Sequence, residues 1–276
     1  MNELTLRKRT VDKCVTNFVS YSCYLSQVEP MKVKEALQDE SWVEAMHDEL
    51  LQFQMNDVWT LVPRSEGRHI IGTKWIFHNK TDGEGNVICN KARLVAQGYS
   101  QVEGVEYDET FALVAYMESI RILLALACHL KFKLYQMDVK TAFLNGLFKK
   151  DVYVAQPKGF IEPHFPDHVL YLKKALYGLK QTPRAWYDQL PQYLVSHGFT
   201  RGKVDQTLFI KKEDGELIVA QVYVNDIIFG LIKDELAHGF SKLMQAEFEM
   251  SMIEELRAES LPWIADSSTR FRYIPI

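Results

Sequence analysis

Three apolar segments, Leu208-Phe-Ile-Lys-Lys212, Leu217-Ile-Val-Ala-Gln-Val-Tyr-Val224 and Ile227-Ile-Phe229, follow one another with only short turn-forming stretches between them. Glu213-Asp-Gly-Glu216 and Asn225-Asp226 supply those turns, so the segments are expected to run as neighbouring antiparallel strands. Few folds accommodate that constraint without a sheet at their centre.

The rest of the chain adds helices and further strands. Ser41 with Glu44 three residues on reads as a capping box, and Val43, Met46, Leu50 and Phe53 then share one helical face up to Asp57-Val58-Trp59. Thr73 to Asn79, the turn Asp82-Gly-Glu-Gly-Asn86 and Val87 to Ala96 predict a hairpin. Lys91 and Arg93, two apart, fall on one face of its return strand. Met117 to His129 is almost wholly apolar, which predicts a buried helix. Leu134 to Val139 predicts a buried strand with Asp138 near its end. A helix is expected from Thr182, as N-cap, with Pro183 at the first helical position and Gly198 as its stop. Pro191 inside that helix is costly, about 3 kcal/mol. Lys233 to Phe248 predicts a final helix. Mixed helices and hairpins give an α+β class with an antiparallel sheet.

Composition narrows the function classes. The chain has 276 residues, 47% of them hydrophobic, and a net charge of -4, which excludes disorder over most of its length. Apolar runs are far shorter than the roughly 20 residues that span a bilayer, so no membrane role is expected. MNELTLRKRT is not followed by an apolar stretch, so no secretory signal is expected. Cys14, Cys23, Cys89 and Cys128 lack metal-ligand spacing and read as reduced thiols of an intracellular protein. A mildly acidic total does not by itself favour nucleic acid.

Two carboxylates carry the chemical expectation. Asp138 and Asp226 each end or interrupt an apolar strand, where a charge is expensive unless solvated, hydrogen-bonded or bound to a cation. Side by side, those strands would bring both to one sheet edge, an arrangement that suits Mg²⁺. The plain alternative for either Asp alone is a turn residue.

The surrounding motifs decide between these. Tyr135-Gln-Met-Asp-Val-Lys-Thr-Ala-Phe-Leu-Asn-Gly146, Lys174-Ala-Leu-Tyr-Gly-Leu-Lys-Gln-Thr-Pro-Arg-Ala-Trp-Tyr187 and Tyr223-Val-Asn-Asp-Ile-Ile-Phe-Gly230 closely resemble, in order and spacing, the reverse transcriptase domain of copia-type LTR retrotransposon Pol polyproteins. Asn90 to Tyr99 and Tyr107 to Ala112 belong to the same pattern, which extends from about Glu29 to Leu256. The resemblance implies a right-hand polymerase with fingers and palm over 31–256, after a poorly ordered lead-in over 1–30 and before a tail, 257–276, outside the pattern. It implies an RNA-directed DNA polymerase (a nucleotidyltransferase) that uses two Mg²⁺ ions, a template-primer of RNA or DNA and a dNTP. Asp138 and Asp226 match metal-binding carboxylates, and Phe143 matches the bulky position that excludes a 2′-hydroxyl. Lys91 and Arg93 match contacts to the incoming triphosphate, and Tyr177, Gly178 and Gln181 lie in the segment near the nascent base pair. Lys173, Lys174, Lys180 and Arg184, in a window without an acid, are expected to offer a basic face to a phosphate backbone; a solvated helix face is the alternative for any one of them. The family's compartment is cytoplasmic particles with later nuclear entry of the product.

The chain departs from the family at several places. Asn225 stands where the family has a metal-binding Asp, so shape is kept and one negative charge is lost. Leu113 and Tyr116 replace a Pro and an Arg, Pro191 replaces a helix-compatible residue, and the tail carries neither the primer-holding strand nor a thumb. Polymerase activity is therefore expected to be lost or severely reduced. The alternatives are an active polymerase that tolerates Asn225, and a non-catalytic module that binds nucleic acid or protein.

Overall fold

The computed structural model describes residues 25–213, 215–231, 234–251 and 254–256. The tail over 257–276 and the lead-in up to residue 24 lie outside the described residues. Residues 25–30 are pinned to the rest of the molecule: the Ser26 N–H donates to Asn90 Oδ1 at 2.9 Å, and the Asn79 N–H donates to Glu29 Oε1 at 2.6 Å.

A short helix α1 (Val33–Ala36) leads into α2 (Glu40–Met55). The expected capping box at Ser41 and Glu44 is not the start of α2. Its cap is Asp39, two residues upstream, whose carboxylate accepts the Ser41 N–H at 3.0 Å. A charged oxygen beside the helix N-terminus is a stronger acceptor than a hydroxyl and also meets the positive end of the helix dipole. Asp39→Ala is expected to cost about 1 kcal/mol in urea unfolding at neutral pH, and an unchanged midpoint would show the cap to be idle. Met46 and Phe53 are buried as the helical spacing predicts, together with Trp42.

Strand β1 (Trp59–Val62) precedes the hairpin of β2 (Thr73–Thr81) and β3 (Val87–Ala96), which pairs Thr73 with Ala96 through Lys80 with Cys89. Inward and outward positions alternate along β3, so Asn90, Ala92, Leu94 and Ala96 are buried while Lys91 and Arg93 lie on the other face. Helix α3 (Met117–Leu130) and strand β4 (Lys133–Asp138) follow, then β5 (Tyr153–Val154), β6 (Val169–Leu172) and α4 (Thr182–Ser196). Helix α4 is capped by Gln181, one residue before the expected Thr182, and Pro191 sits buried inside it without ending it. Strands β7 (Thr200–Arg201), β8 (Leu208–Glu213), β9 (Glu216–Tyr223) and β10 (Asp226–Leu231) lead to α5 (Asp234–Glu247) and the two-residue β11 (Glu254–Glu255).

Among the described residues the strands form three antiparallel groups: β1-β6-β5, the hairpin β2-β3, and a six-stranded sheet of order β11-β4-β10-β9-β8-β7. That sheet is covered on both faces, which is why β9 and β10 read as near-continuous apolar runs rather than alternating ones. On one face Met137, Ala220, Val222, Ile227 and Phe229 pack under α4 and α5 through Trp186, Leu190, Phe240 and Met244. On the other, Leu134, Val219 and Ile228 meet Ile120, Leu123 and Ala127 of α3. A separate core joins α2, the hairpin and the β1-β6-β5 group through Trp42, Phe53, Ile71, Leu94 and Leu172.

Helix α3 corrects an expectation. It is not buried all round: Ile122 is 68% exposed, and Leu130 and Cys128 are exposed as well. Apolar composition predicts burial, but a helix laid on the outside of a sheet covers it with one stripe only. Among the described residues no helix is long and apolar enough to cross a membrane.

Candidate active site

Strands β4 and β10 are direct antiparallel neighbours, and their register sets Asp138 opposite Asp226. The two carboxylates expected at one sheet edge are thus a cross-strand pair. The turn that delivers Asp226 is one residue earlier than predicted. Tyr223 pairs with Asp226, so Val224 and Asn225 form the loop and Asp226 opens β10. Val224 adopts φ +56, a conformation that a β-branched residue reaches at a cost of roughly 1–2 kcal/mol. Two hydrogen bonds hold it there. Trp186 Nε1 donates to the Val224 carbonyl at 2.7 Å, and the Val139 N–H donates to the Asn225 carbonyl at 2.9 Å. Backbone strain of this kind persists where neighbours over-determine it.

The polar contacts of the pair are specific. Asn225 Nδ2 donates to Asp138 Oδ1, and Gln136 Nε2 donates to Asp226 Oδ1 at 2.9 Å. Ser251 anchors the strand beneath: the Asp138 N–H donates to its Oγ at 2.7 Å, and the Ser251 N–H returns a bond to the Asp138 carbonyl at 2.8 Å. Burial pushes the Asp138 carboxyl above the usual carboxylate range, opposed by the Asn225 amide and by the charges of Lys91, Lys140 and Lys80. Burial also raises Asp226; the Gln136 amide opposes this, and the negative charge of Asp138 adds to it.

The charge of Lys91 thus reaches Asp138 from the hairpin, across the junction between the two cores. Lys91 is half-buried, and its own pKa is lowered by burial and by the neighbouring Arg93 and Lys80 charges. The Arg93 guanidinium lies 5.9 Å from the centroid of the Tyr177 ring. Tyr177 in turn meets Phe143 at 5.7 Å between centroids, and this tilted pair bridges the sheet core and the hairpin core. Burial, and then the negative charge of Glu49, push the Tyr177 hydroxyl up to about 12.

Other predicted residues take up different surroundings. Gly178 has φ +89, and a Cβ there would collide with the Ala96 carbonyl, so its type answers to close backbone approach. Gln181 is buried and spends its amide on Gln101 and on the Glu106 carbonyl. Two of the four basic residues are met by acids from outside their sequence window. Lys173 pairs with Asp57 at 2.8 Å, while Arg184 pairs with Glu109 at 3.3 Å and Asp188 at 3.2 Å. Lys180 sits 4.8 Å from the Tyr107 ring centroid and donates to its hydroxyl at 3.1 Å. Lys174 is half-buried, and its backbone N–H donates to the Val58 carbonyl at 3.2 Å. A window without acids in sequence is therefore not an acid-free surface in space.

Gln136, Ser251 and Glu49 are not singled out by the sequence. Gln136 has a signal, since two residues before Asp138 on one strand is the same face. Ser251 has none, because its contact with Asp138 spans 113 residues of chain. Among the described residues no three His, Cys, Asp or Glu side chains gather as a metal cluster.

Comparison with known proteins shows the family of the chain. Residues 56–259 match the family described as reverse transcriptase (RNA-dependent DNA polymerase), and the chain belongs to it. It is 40% identical over 232 residues to the retrovirus-related Pol polyprotein from transposon RE1 of Arabidopsis thaliana, covering 84% of this chain and 16% of that protein. The corresponding polyprotein from transposon RE2 of the same plant is 42% identical over 201 residues, 72% of this chain and 14% of the relative. The polyprotein from transposon TNT 1-94 of Nicotiana tabacum is 36% identical over 224 residues, 77% and 17%. The domain is thus that of retrotransposon Pol polyproteins, and the chain spans about a sixth of the length of these relatives. A solved structure of the foamy viral protease-reverse transcriptase in complex with double-stranded DNA is similar at 12% identity and a TM-score of 0.39, over 78% of this chain and 31% of that one, too loosely to carry an argument.

Proposed function

We propose that the six-stranded sheet with α4 and α5 is the palm of a right-hand polymerase, that the β2-β3 hairpin with α2 is its fingers, and that this copy is impaired in nucleotidyl transfer. The reading rests on one observation: Asp138 and Asp226 stand opposite each other, and the third position of the set, Asn225, aims an amide N–H at Asp138.

Two neighbouring carboxylates fit one hard cation shared with substrate phosphates, the usual way Mg²⁺ is held. With Asn225 at the third position the set offers a pair of ions one negative charge less, and a neutral amide oxygen is the weaker ligand for Mg²⁺. Bound Mg²⁺ contributes neutralisation of phosphate charge and activation of a primer hydroxyl in this class of chemistry. The chain's own residues do the rest of the work: Lys91 and Arg93 receive the triphosphate of a dNTP, and Phe143 against Tyr177 forms the wall beside its sugar. Trp186 and Val139 fix the turn that presents Asp226. Asn225 instead aims an amide donor at Asp138 Oδ1, so it competes with a cation for that oxygen and adds no negative charge of its own.

Primer extension on an RNA template tests this directly. Wild-type chain is expected to extend at background level with Mg²⁺ and to gain little with Mn²⁺. Robust extension by the unmodified chain would overturn the reading of Asn225. A DNA or RNA template-primer is still expected to bind, weakly and with a shallow salt dependence, because Lys173 and Arg184 already have acidic partners. A steep log–log salt slope would contradict that expectation.

A further inference from the structure

Among the described residues the hairpin β2-β3 pairs only with itself, so the outer edge of β3 presents backbone groups that the hairpin cannot satisfy. Two of them find partners elsewhere. The Ala96 N–H donates to the Tyr177 carbonyl at 2.7 Å, and the Leu94 N–H donates to Glu49 Oε1 at 3.2 Å. Glu49 comes from α2, the helix packed along β3, and is half-buried. It therefore does two things at once: it seals a strand edge, and it puts a negative charge beside the outward cations of that strand.

The carboxylate is held at Leu94, one residue from Arg93 and three from Lys91 along β3; the charges of both act on it, and its own charge acts on Tyr177 from the segment before α4. Burial pushes Glu49 up to about 7, while the Leu94 N–H and the charges of Lys91 and Arg93 pull the other way. Near neutrality the carboxylate is thus divided between its two protonation states, and the cations beside it tip the balance. A polyphosphate drawn to Lys91 and Arg93 brings several negative charges to the same place, which favours the protonated form.

We propose that Glu49 is the internal counter-anion of Lys91 and Arg93, sealing the β3 edge through Leu94 and neutralising the two cations until a polyphosphate takes its place as their partner. Glu49 then takes up one proton from solvent on its carboxylate, and no other bond is made or broken. This rests on the assignment of Lys91 and Arg93 as triphosphate-binding groups. The sign follows from linkage: binding raises the affinity of Glu49 for a proton, so polyphosphate binds best below pH about 7 and progressively less well as pH rises above it.

Inorganic tripolyphosphate is the probe, titrated calorimetrically into wild-type chain and Glu49→Gln at pH 6 and pH 8, each in two buffers of different ionisation heat. Gln keeps an acceptor for the Leu94 N–H and cannot titrate, so a purely structural role leaves the pH profile unchanged. Ionisation of the probe itself is common to both proteins and cancels between them. The expected result is that wild type loses about three- to tenfold more affinity than E49Q between pH 6 and pH 8. E49Q should be the tighter binder at pH 8. Identical pH dependence in the two proteins overturns the proposal while leaving Lys91 and Arg93 as the binding groups. If E49Q does not fold, Glu49→Ala replaces it in the same comparison with the same outcomes, and absence of proton uptake by wild type beyond that of the probe overturns the proposal in any case. Failure of wild type and E49Q alike to bind tripolyphosphate overturns this proposal and the assignment of Lys91 and Arg93 together.

Discussion

Asn225→Asp is expected to raise Mg²⁺-dependent primer extension by about 10²-fold or more over the unmodified chain, the scale on which one preorganised electrostatic group acts in a transition state. The same change should make the metal-free protein less stable. It removes the amide N–H that Asp138 now accepts and sets a third carboxylate beside two whose pKa values already lie above the ordinary range. Losing that bond and adding like-charge repulsion is expected to cost about 1–3 kcal/mol at pH 7. The sign can be checked by titration. Carboxyls raised in the folded state favour folding when protonated, so the deficit should be absent at pH 4 and grow as pH rises through the folded-state values. Millimolar Mg²⁺ should then remove it, since an ion that binds only the folded state stabilises by mass action. Thermal unfolding of both proteins with and without Mg²⁺ reads this without any need for turnover. Equal extension by the two chains, or a stability difference that Mg²⁺ leaves untouched, would sink the account of Asn225.

Gly178→Ala should be among the most damaging single substitutions in the hairpin core, with a loss of about 3 kcal/mol. Part of that is conformational, because φ +89 costs a residue with a Cβ about 1 kcal/mol. The larger part is steric: the new methyl group would strike the Ala96 carbonyl, which is backbone and cannot swing aside. Gly85 is a built-in control. It has the same φ of +89 in the β2-β3 turn but open space where a Cβ would go, so Gly85→Ala should show the conformational part alone. Urea unfolding of the two variants separates the contributions. Equal losses would mean that the approach of Gly178 to Ala96 has slack. The expected difference matters for the site, because this contact and the neighbouring bond from the Ala96 N–H to Tyr177 join the strand of Lys91 and Arg93 to the wall made by Phe143 and Tyr177.

Much of this is legible in the sequence for a physical reason. Strands covered on both faces must be apolar throughout, so Leu217 to Tyr223 and Ile227 to Phe229 stand out, and so does a carboxylate at the end of such a run. The opposition of Asp138 and Asp226 follows from adjacency. The position of the turn is not legible: no propensity puts Val224 at a positive φ, and only the pairing of Tyr223 with Asp226 forces it there. Nor does composition tell how much of an apolar helix is covered, which is why α3 is exposed along part of its surface. The acids that meet Lys173 and Arg184 are not legible for a related reason, since Asp57 and Glu109 reach them only through the fold. Gly178 belongs by its motif to a nucleotide site, yet its backbone explains its type without one.

The hairpin core is closed by strands far apart in the chain. Trp59 pairs with Leu172, and the ion pair of Asp57 with Lys173 spans 116 residues. At a synthesis rate of about 5–20 residues per second, some 6–23 s separate the emergence of the two ends. Through that interval Phe53, Val58 and Ile71, all fully buried at the end, have no β6 to rest against. Closure of this core is thus expected to wait on the synthesis of β6 rather than on the intrinsic speed of helix and hairpin formation, with its apolar side chains uncovered until then.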